Sequence, residues 1–243
     1  MPKVFVHGVP DTPAVWRPLL DRLRLPDGDA VTLALPGFGN TPADAFPATK
    51  DAYAHWLITE LHRLARPLDL VAHDWGALLA LRVVSLEPNL VHSWALGAAP
   101  LDPEYEWHRA AKLWQTPGVG EEVMEKTTPE ALAHNLATVG VPAEAAAETG
   151  RHWDPTMKRS ILALYRSAVR AWDDWGADLA RVTAPGLVLW GETDPYAAVR
   201  FGERLAQRVN ARFVALRGCG HWWQLEQPDA VAAELRAFWG LTR

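Results

Sequence analysis

The feature that most restricts how this chain can fold is an alternation. Six short apolar runs, at 3–6 (KVFV), 31–35 (VTLAL), 68–73 (LDLVAH), 92–97 (HSWALG), 186–190 (GLVLW) and 212–216 (RFVAL), are separated by stretches with helical spacing. Brief runs rich in Val and Leu read as buried strands, covered on both faces. Between them, the stretch 51–66 sets Tyr53, Trp56, Leu57, Leu61 and Leu64 on one helical stripe, and 197–209 and 229–239 repeat that spacing. The expected fold is therefore α/β, a doubly wound, mainly parallel six-stranded sheet.

The alternation breaks once. From about Pro100 to Trp175 there are helix signals and no strand signal. Thr128-Pro129 and Asp154-Pro155 each pair an N-cap residue with a first-turn proline, so each opens a helix. The simplest reading is a helical lid, 100–175, inserted into a core built from 1–99 and 176–243. It would sit over the C-terminal edge of the sheet.

Composition narrows the partners. The 243 residues suffice for one sizeable domain, and 49% hydrophobic with 22% charged residues is ordinary for a soluble globular protein. A net charge of −5 with scattered basic residues gives no reason to expect nucleic acid or an anionic membrane. The segment MPKVFVHG is too short for a signal peptide or a membrane span, so a cytoplasmic enzyme is expected. The lone cysteine, Cys219, excludes an intrachain disulfide and reads as a small buried residue rather than a reactive thiol. No Cys/His cluster has zinc spacing, and neither a metal nor an organic cofactor is expected. The 13 tryptophans fill a core, line an apolar pocket, or both. No feature assigns an oligomeric state.

The strongest local signal is LDLVAHDWGALLALRVV, a strand that turns sharply into a helix at Asp74. Small residues, Ala72 and Gly76, flank Asp74 two positions away on either side. Such spacing suits a nucleophile elbow, in which the central residue is backbone-strained and its neighbours pack closely. The alternative is that Asp74 only caps the helix. Two later segments weigh against it. GETDPY puts Asp194 in the loop after the fifth run, and RGCGHWW puts His221 in the loop after the sixth. Nucleophile, acid and histidine then follow in chain order at the edge where doubly wound sheets gather functional groups. At the start, HGVPDT lets the Val9 N–H point into the cleft, where with the Trp75 N–H it would form an oxyanion hole.

Together HGVP, LPGFG, AHDWGA, WGETDP and GCGHW resemble the epoxide hydrolase and haloalkane dehalogenase branch of the α/β-hydrolase fold, over nearly the whole chain. The resemblance implies Asp74 as nucleophile, His221 as base, Asp194 as its orienting acid, and Val9 and Trp75 as oxyanion donors. It also implies an extra strand pair before the HG motif, a pair expected to be missing here. Epoxide hydrolases place two lid tyrosines against the leaving oxygen. Tyr165 in LALYRSA matches one of them; the other matching position holds Ala110, with Tyr105 and His108 nearby as substitutes.

A carboxylate nucleophile narrows the chemistry. Attack on an ester or amide would give a reactive anhydride, whereas attack on a saturated carbon gives a stable alkyl ester. An apolar small molecule with a leaving group at saturated carbon is the expected substrate. Epoxide hydrolysis to a diol is the preferred reading, on Tyr165 and HGVP. In haloalkane dehalogenases the halide is held by indole N–H groups, with an asparagine after HG or a lid tryptophan assisting. Valine at position 9 removes the asparagine version, while Trp107 and Trp114 keep the tryptophan version. A silent hydrolase fold used only to bind a small molecule would not need Asp74, Asp194 and His221 together. A serine esterase is weaker still, since Ser85 and Ser93 lie away from the elbow.

Overall fold

A computed structural model describes residues 1–42 and 45–241. All six apolar runs are strands: β1 (Lys3–Val6), β2 (Ala30–Leu33), β3 (Asp69–His73), β4 (Ser93–Gly97), β5 (Gly186–Gly191) and β6 (Arg212–Leu216). They form one sheet in the order β2-β1-β3-β4-β5-β6, with every pairing parallel. Side chains alternate between two separate cores, one on each face. Leu70, Ala72, Val188 and Trp190 enter one, and Val71, Leu187 and Leu189 enter the other. Two apolar faces are why these runs carry no polar alternation.

The expectation that all six strands are buried needs correcting at the margins. β2 and β6 are the edge strands, each with one neighbour, and both are partly exposed along most of their length. β1, β3, β4 and β5 are buried throughout.

Helices cover both faces. α1 (Arg17–Leu23) packs against α12 (Pro228–Phe238), while α2 (Lys50–Arg63) packs against α3 (Trp75–Leu86). Between β4 and β5 the described residues contain helices and no strand. Irregular chain over 98–108 leads into α4 (Arg109–Gln115), α5 (Val119–Lys126), α6 (Pro129–Thr138), α7 (Ala143–Arg151), α8 (Pro155–Ser167) and α9 (Ala171–Trp175). The two Thr/Asp-Pro pairs open helices as their chemistry requires. The Thr128 hydroxyl accepts from the Ala131 N–H at 3.2 Å, and the Asp154 carboxylate accepts from the Met157 N–H at 2.8 Å. Met157, Ile161, Leu164 and Tyr165 of α8 are buried on its inner face.

This segment is tied to the rest of the chain at both ends. Near its start the buried Asp102 pairs with Arg204 at 3.1 Å on α10 (Val199–Arg208). At the end of α8 the Ser167 hydroxyl accepts from the Lys50 N–H at 2.8 Å. Among the described residues, no helix is long and apolar enough to cross a membrane.

Candidate active site

Asp74 stands alone between β3 and α3. Its φ of 52° and ψ of −123° lie in a region that non-glycine residues avoid, a strain of about 1–3 kcal/mol. Its N–H donates to the Gly97 carbonyl at 3.1 Å, and both neighbouring strands pack tightly against the turn. Two glycines make that fit possible. A Cβ on Gly8 would fall 2.4 Å from the Asp74 Cβ, and one on Gly76 would fall 2.4 Å from the Val6 carbonyl oxygen. The capping alternative fails: the Asp74 side chain makes no hydrogen bond to its own helix. Its Oδ1 instead accepts from the Val9 N–H at 2.8 Å. Trp75 opens α3 and brings its ring to the cavity above.

His221 and Asp194 come from the loops after β6 and β5, and they meet at Asp74. His221 Nδ1 donates to Asp194 Oδ2 at 2.8 Å, and His221 Nε2 lies 3.6 Å from Asp74 Oδ2. The second oxygen of Asp194 accepts from the N–H groups of Tyr196 and Ala197, at 2.8 and 3.0 Å. That carboxylate is therefore pinned by its own loop. Burial alone would lower the His221 pKa, but Asp194 and then Asp74 outweigh it and carry it up to about 10. Burial works to raise the Asp74 pKa, and His221, His73 and the Val9 N–H hold it below the usual carboxylate range. At neutral pH the resting site is an imidazolium between two carboxylates.

Three further groups carry this arrangement, and sequence reasoning passed over them. His73, at the end of β3, donates from Nε2 to the His221 carbonyl at 2.9 Å, fixing the loop that holds His221. Its Nδ1 is left with a lone pair, 3.8 Å from Asp11 Oδ2. Asp11 is buried and accepts from the Trp222 indole at 3.1 and 3.3 Å. Burial, and then the charge of Asp74, raise its pKa to about 7. A protonated Asp11 can face the His73 lone pair, whereas an ionised one is repelled by it. The third group, Tyr196, packs its ring 5.0 Å from that of His221 and lines the cavity. Asp11 lies in the HGVPDT motif and Tyr196 two residues past Asp194, so their nearness to the motifs was the available signal.

Asp11 gives a testable pH effect. Because the native state keeps the proton up to about pH 7 while an unfolded Asp releases it near 3.8, stability falls as pH rises across that interval. Asp11→Asn removes this contribution to the slope. Thermal melts at pH 4.5 and 7.5 should therefore show the variant gaining on the wild type at the higher pH. An equal difference at both values would mean that Asp11 titrates normally.

Above Asp74 lies a cavity of about 240 Å³, lined by aromatic side chains from α4, α8 and the 98–108 stretch and also by Val123 of α5 and Leu132, Asn135 and Leu136 of α6. Tyr165, on α8, is buried and sets its ring 5.2 Å from that of Trp75. Burial, and next the charge of Asp74, raise the phenol pKa well above 10, and a hydrogen bond with Trp75 opposes them. Trp107 stacks on Trp75 at 5.8 Å, and Trp114 meets Tyr165 edge-on at 4.9 Å. His108 and Tyr105 line the same cavity, and Ala110 borders it without a polar group to offer. The lone thiol, Cys219, is fully buried, and burial pushes its pKa up to about 12. Among the described residues, no group of His, Cys, Asp and Glu is placed to hold a metal ion.

A strained strand–turn–helix at the carboxyl edge of a parallel sheet, met by a histidine and an acid from the loops after later strands, is the layout of a hydrolase. The model of the Alpha/beta hydrolase family matches residues 4–234, and the chain belongs to that family. It is similar to Epoxide hydrolase 3 of Mus musculus, with 25% identity across 97% of this chain and 69% of the relative. It is also similar to a haloalkane dehalogenase of Psychrobacter cryohalolentis, with 22% identity across 98% of this chain and 82% of the relative. The crystal structure of Bacillus megaterium epoxide hydrolase in complex with an inhibitor superposes with a TM-score of 0.80, at 20% identity, covering 98% of this chain and 93% of that one. At that identity the last likeness speaks for the fold alone.

Proposed function

We propose that this hydrolase attacks a saturated carbon through an ester on Asp74, and that its reaction is the opening of an epoxide to a diol. The observation that carries this reading is Tyr165, a buried phenol beside Trp75 in the cavity over Asp74. An epoxide leaves as an alkoxide and requires a proton; a halide does not. In this reading residues 100–175 act as the lid that supplies the proton.

The steps follow from the charges. Ionised Asp74 displaces the ring oxygen, forming the ester bond as the C–O bond breaks, and Tyr165 gives its proton to the departing oxygen. Once Asp74 is an uncharged ester, His221 loses one of the two anions that raise its pKa. Its proton can then pass to the tyrosinate through solvent, restoring the phenol and freeing the imidazole as a base. His221 next deprotonates a water that attacks the ester carbonyl. The oxyanion that forms is met by the Val9 N–H, already on that carboxylate, and by the Trp75 N–H. The tetrahedral adduct then collapses with cleavage of the bond between the carbonyl carbon and the ester oxygen. The diol leaves with the proton of the new Asp74 carboxyl group, and the proton kept on His221 restores the resting imidazolium. Asp194 keeps the imidazole in the required tautomer.

Apart from Asp74 and His221, the side chains lining the cavity are uncharged at neutral pH; none is lysine or arginine. The substrate is accordingly uncharged and apolar, since a carboxylate group would be desolvated there without a partner. A second reading, halide displacement, is favoured by the stacked indoles of Trp75 and Trp107. A binding-only role would leave the charge-coupled arrangement of Asp74, His221 and Asp194 without purpose.

Incubation with styrene oxide and with 1-bromobutane, scoring diol against released bromide, separates the two chemistries. Diol from styrene oxide is expected. Bromide release without diol would replace the epoxide reading by the halide one.

A further inference from the structure

Of the four tyrosines in the chain, Tyr196 alone keeps its hydroxyl uncommitted beside the reacting groups. Tyr53 donates to the Pro36 carbonyl at 2.6 Å, Tyr165 is bonded to Trp75, and Tyr105 to the His108 backbone. Among the described residues no group is paired with the Tyr196 hydroxyl, although this half-buried residue lines the cavity. A hydroxyl set among aromatic walls costs free energy until it finds a partner.

The ring that carries this hydroxyl is held against the base. The Tyr196 N–H donates to Asp194 Oδ1 at 2.8 Å, while Oδ2 of the same carboxylate accepts from His221 Nδ1 at 2.8 Å. One carboxylate thus fixes the two residues relative to each other. Their rings meet edge to face with 5.0 Å between centres, and Trp222 and His108 also pack on the Tyr196 ring, at 5.9 and 5.0 Å. Burial first, and then the charges of Asp194, Asp74 and Asp11, raise the phenol pKa to about 12. The hydroxyl therefore lies in the field of the reacting carboxylates and keeps its proton at neutral pH.

Hydrolysis of the ester leaves a place for such a group. A water bonded to His221 Nε2 alone is free to turn about that bond, whereas a second acceptor fixes its other O–H and keeps a lone pair toward the ester carbon. One water joins polar atoms about 5 Å apart, and the His221 and Tyr196 rings are near enough for their polar tips to share one. We infer that the Tyr196 hydroxyl holds the hydrolytic water, accepting the O–H that is not passed to His221 and aiming the oxygen at the Asp74 ester. This rests on the ester at Asp74, a step that the epoxide and halide readings share. One water proton goes to His221 Nε2 as the oxygen bonds to the ester carbon. The other stays on that oxygen, bonded to Tyr196, until the alcohol leaves with it. No proton passes to or from Tyr196, and its part falls wholly after alkylation.

Tyr196→Phe removes the hydroxyl and keeps both the ring contacts and the backbone N–H on Asp194. In single turnover with styrene oxide, or with 1-bromobutane if bromide is what leaves, the Asp74 ester should form at the wild-type rate. Its hydrolysis should slow by about tenfold, the scale of one hydrogen bond lost from a transition state. As hydrolysis becomes limiting, kcat and KM should fall together and leave kcat/KM near the wild-type value. The pH dependence of ester hydrolysis should keep its midpoint, because Tyr196 is not among the groups that set the His221 pKa. A merely structural Tyr196 would act through Asp194 and His221, and its loss would displace that midpoint or slow both half-reactions. Either of those results overturns the inference, and so does an unchanged rate of ester hydrolysis; all three leave the proposed reaction standing. If neither substrate modifies the Asp74 peptide of His221→Gln, the covalent reading falls, and the inference with it.

Discussion

His221→Gln should stop turnover after the first half-reaction and leave the enzyme alkylated. In the proposed reaction the displacement at carbon needs an ionised Asp74 and a proton from Tyr165, and His221 supplies neither. Burial disfavours the Asp74 anion, but the Val9 N–H still supports it when the imidazole is gone. In the proposed reaction hydrolysis of the ester does need His221, whose Nε2 lies 3.6 Å from Asp74 Oδ2 and takes the proton from water. Removing a general base at this step costs about 10²–10⁴-fold. With styrene oxide the variant should show a single burst, and mass spectrometry should find the added mass on the peptide containing Asp74. Asp74→Ala should abolish both half-reactions. A burst with no modified peptide would point to direct attack by water, and turnover by Asp74→Ala would point to another nucleophile.

The second large effect is expected at the other end of the reacting bond. Tyr165→Phe keeps the ring between Trp75 and Trp114 and removes only the hydroxyl, so packing is preserved. Alkylation by epoxide should fall by about 10²-fold, the scale for removing a general acid, while hydrolysis of the ester once formed should be unaffected. Because burial and Asp74 hold the phenol pKa well above 10, the wild-type alkylation rate should be level between pH 6 and 9. An epoxide opened at the normal rate by the phenylalanine variant would make Tyr165 a packing residue and move the halide reading forward.

The fold and the arrangement of the candidate site were legible for a common reason. Strands covered on both faces must be short and apolar, and a strained turn between strand and helix must be flanked by small residues. KVFV, LDLVAH and GLVLW, and the small residues around Asp74, are the direct trace of those constraints. The order Asp74, Asp194, His221 was equally readable, because each follows an apolar run, and parallel strands bring their carboxyl ends to one edge. Burial at β2 and β6 was not readable, since an apolar run does not state whether a second strand will lie beside it.

What the tertiary structure alone decided is which polar groups share one low-dielectric space. Nothing local to HGVPDT says that Asp11 will meet the Trp222 indole, 211 positions away, and hold its proton to about pH 7. Nothing local to EYEWHRAAK says whether the His108 ring turns to its own helix or to solvent; the Ala111 N–H settles that, and with it the tautomer. Asp74 itself could have been an ordinary helix cap, until Gly8 brought the Val9 N–H against it. A sequence specifies strands and turns through short-range sterics and apolar burial, whereas a pKa or a tautomer belongs to whatever distant groups those turns bring within a few ångströms.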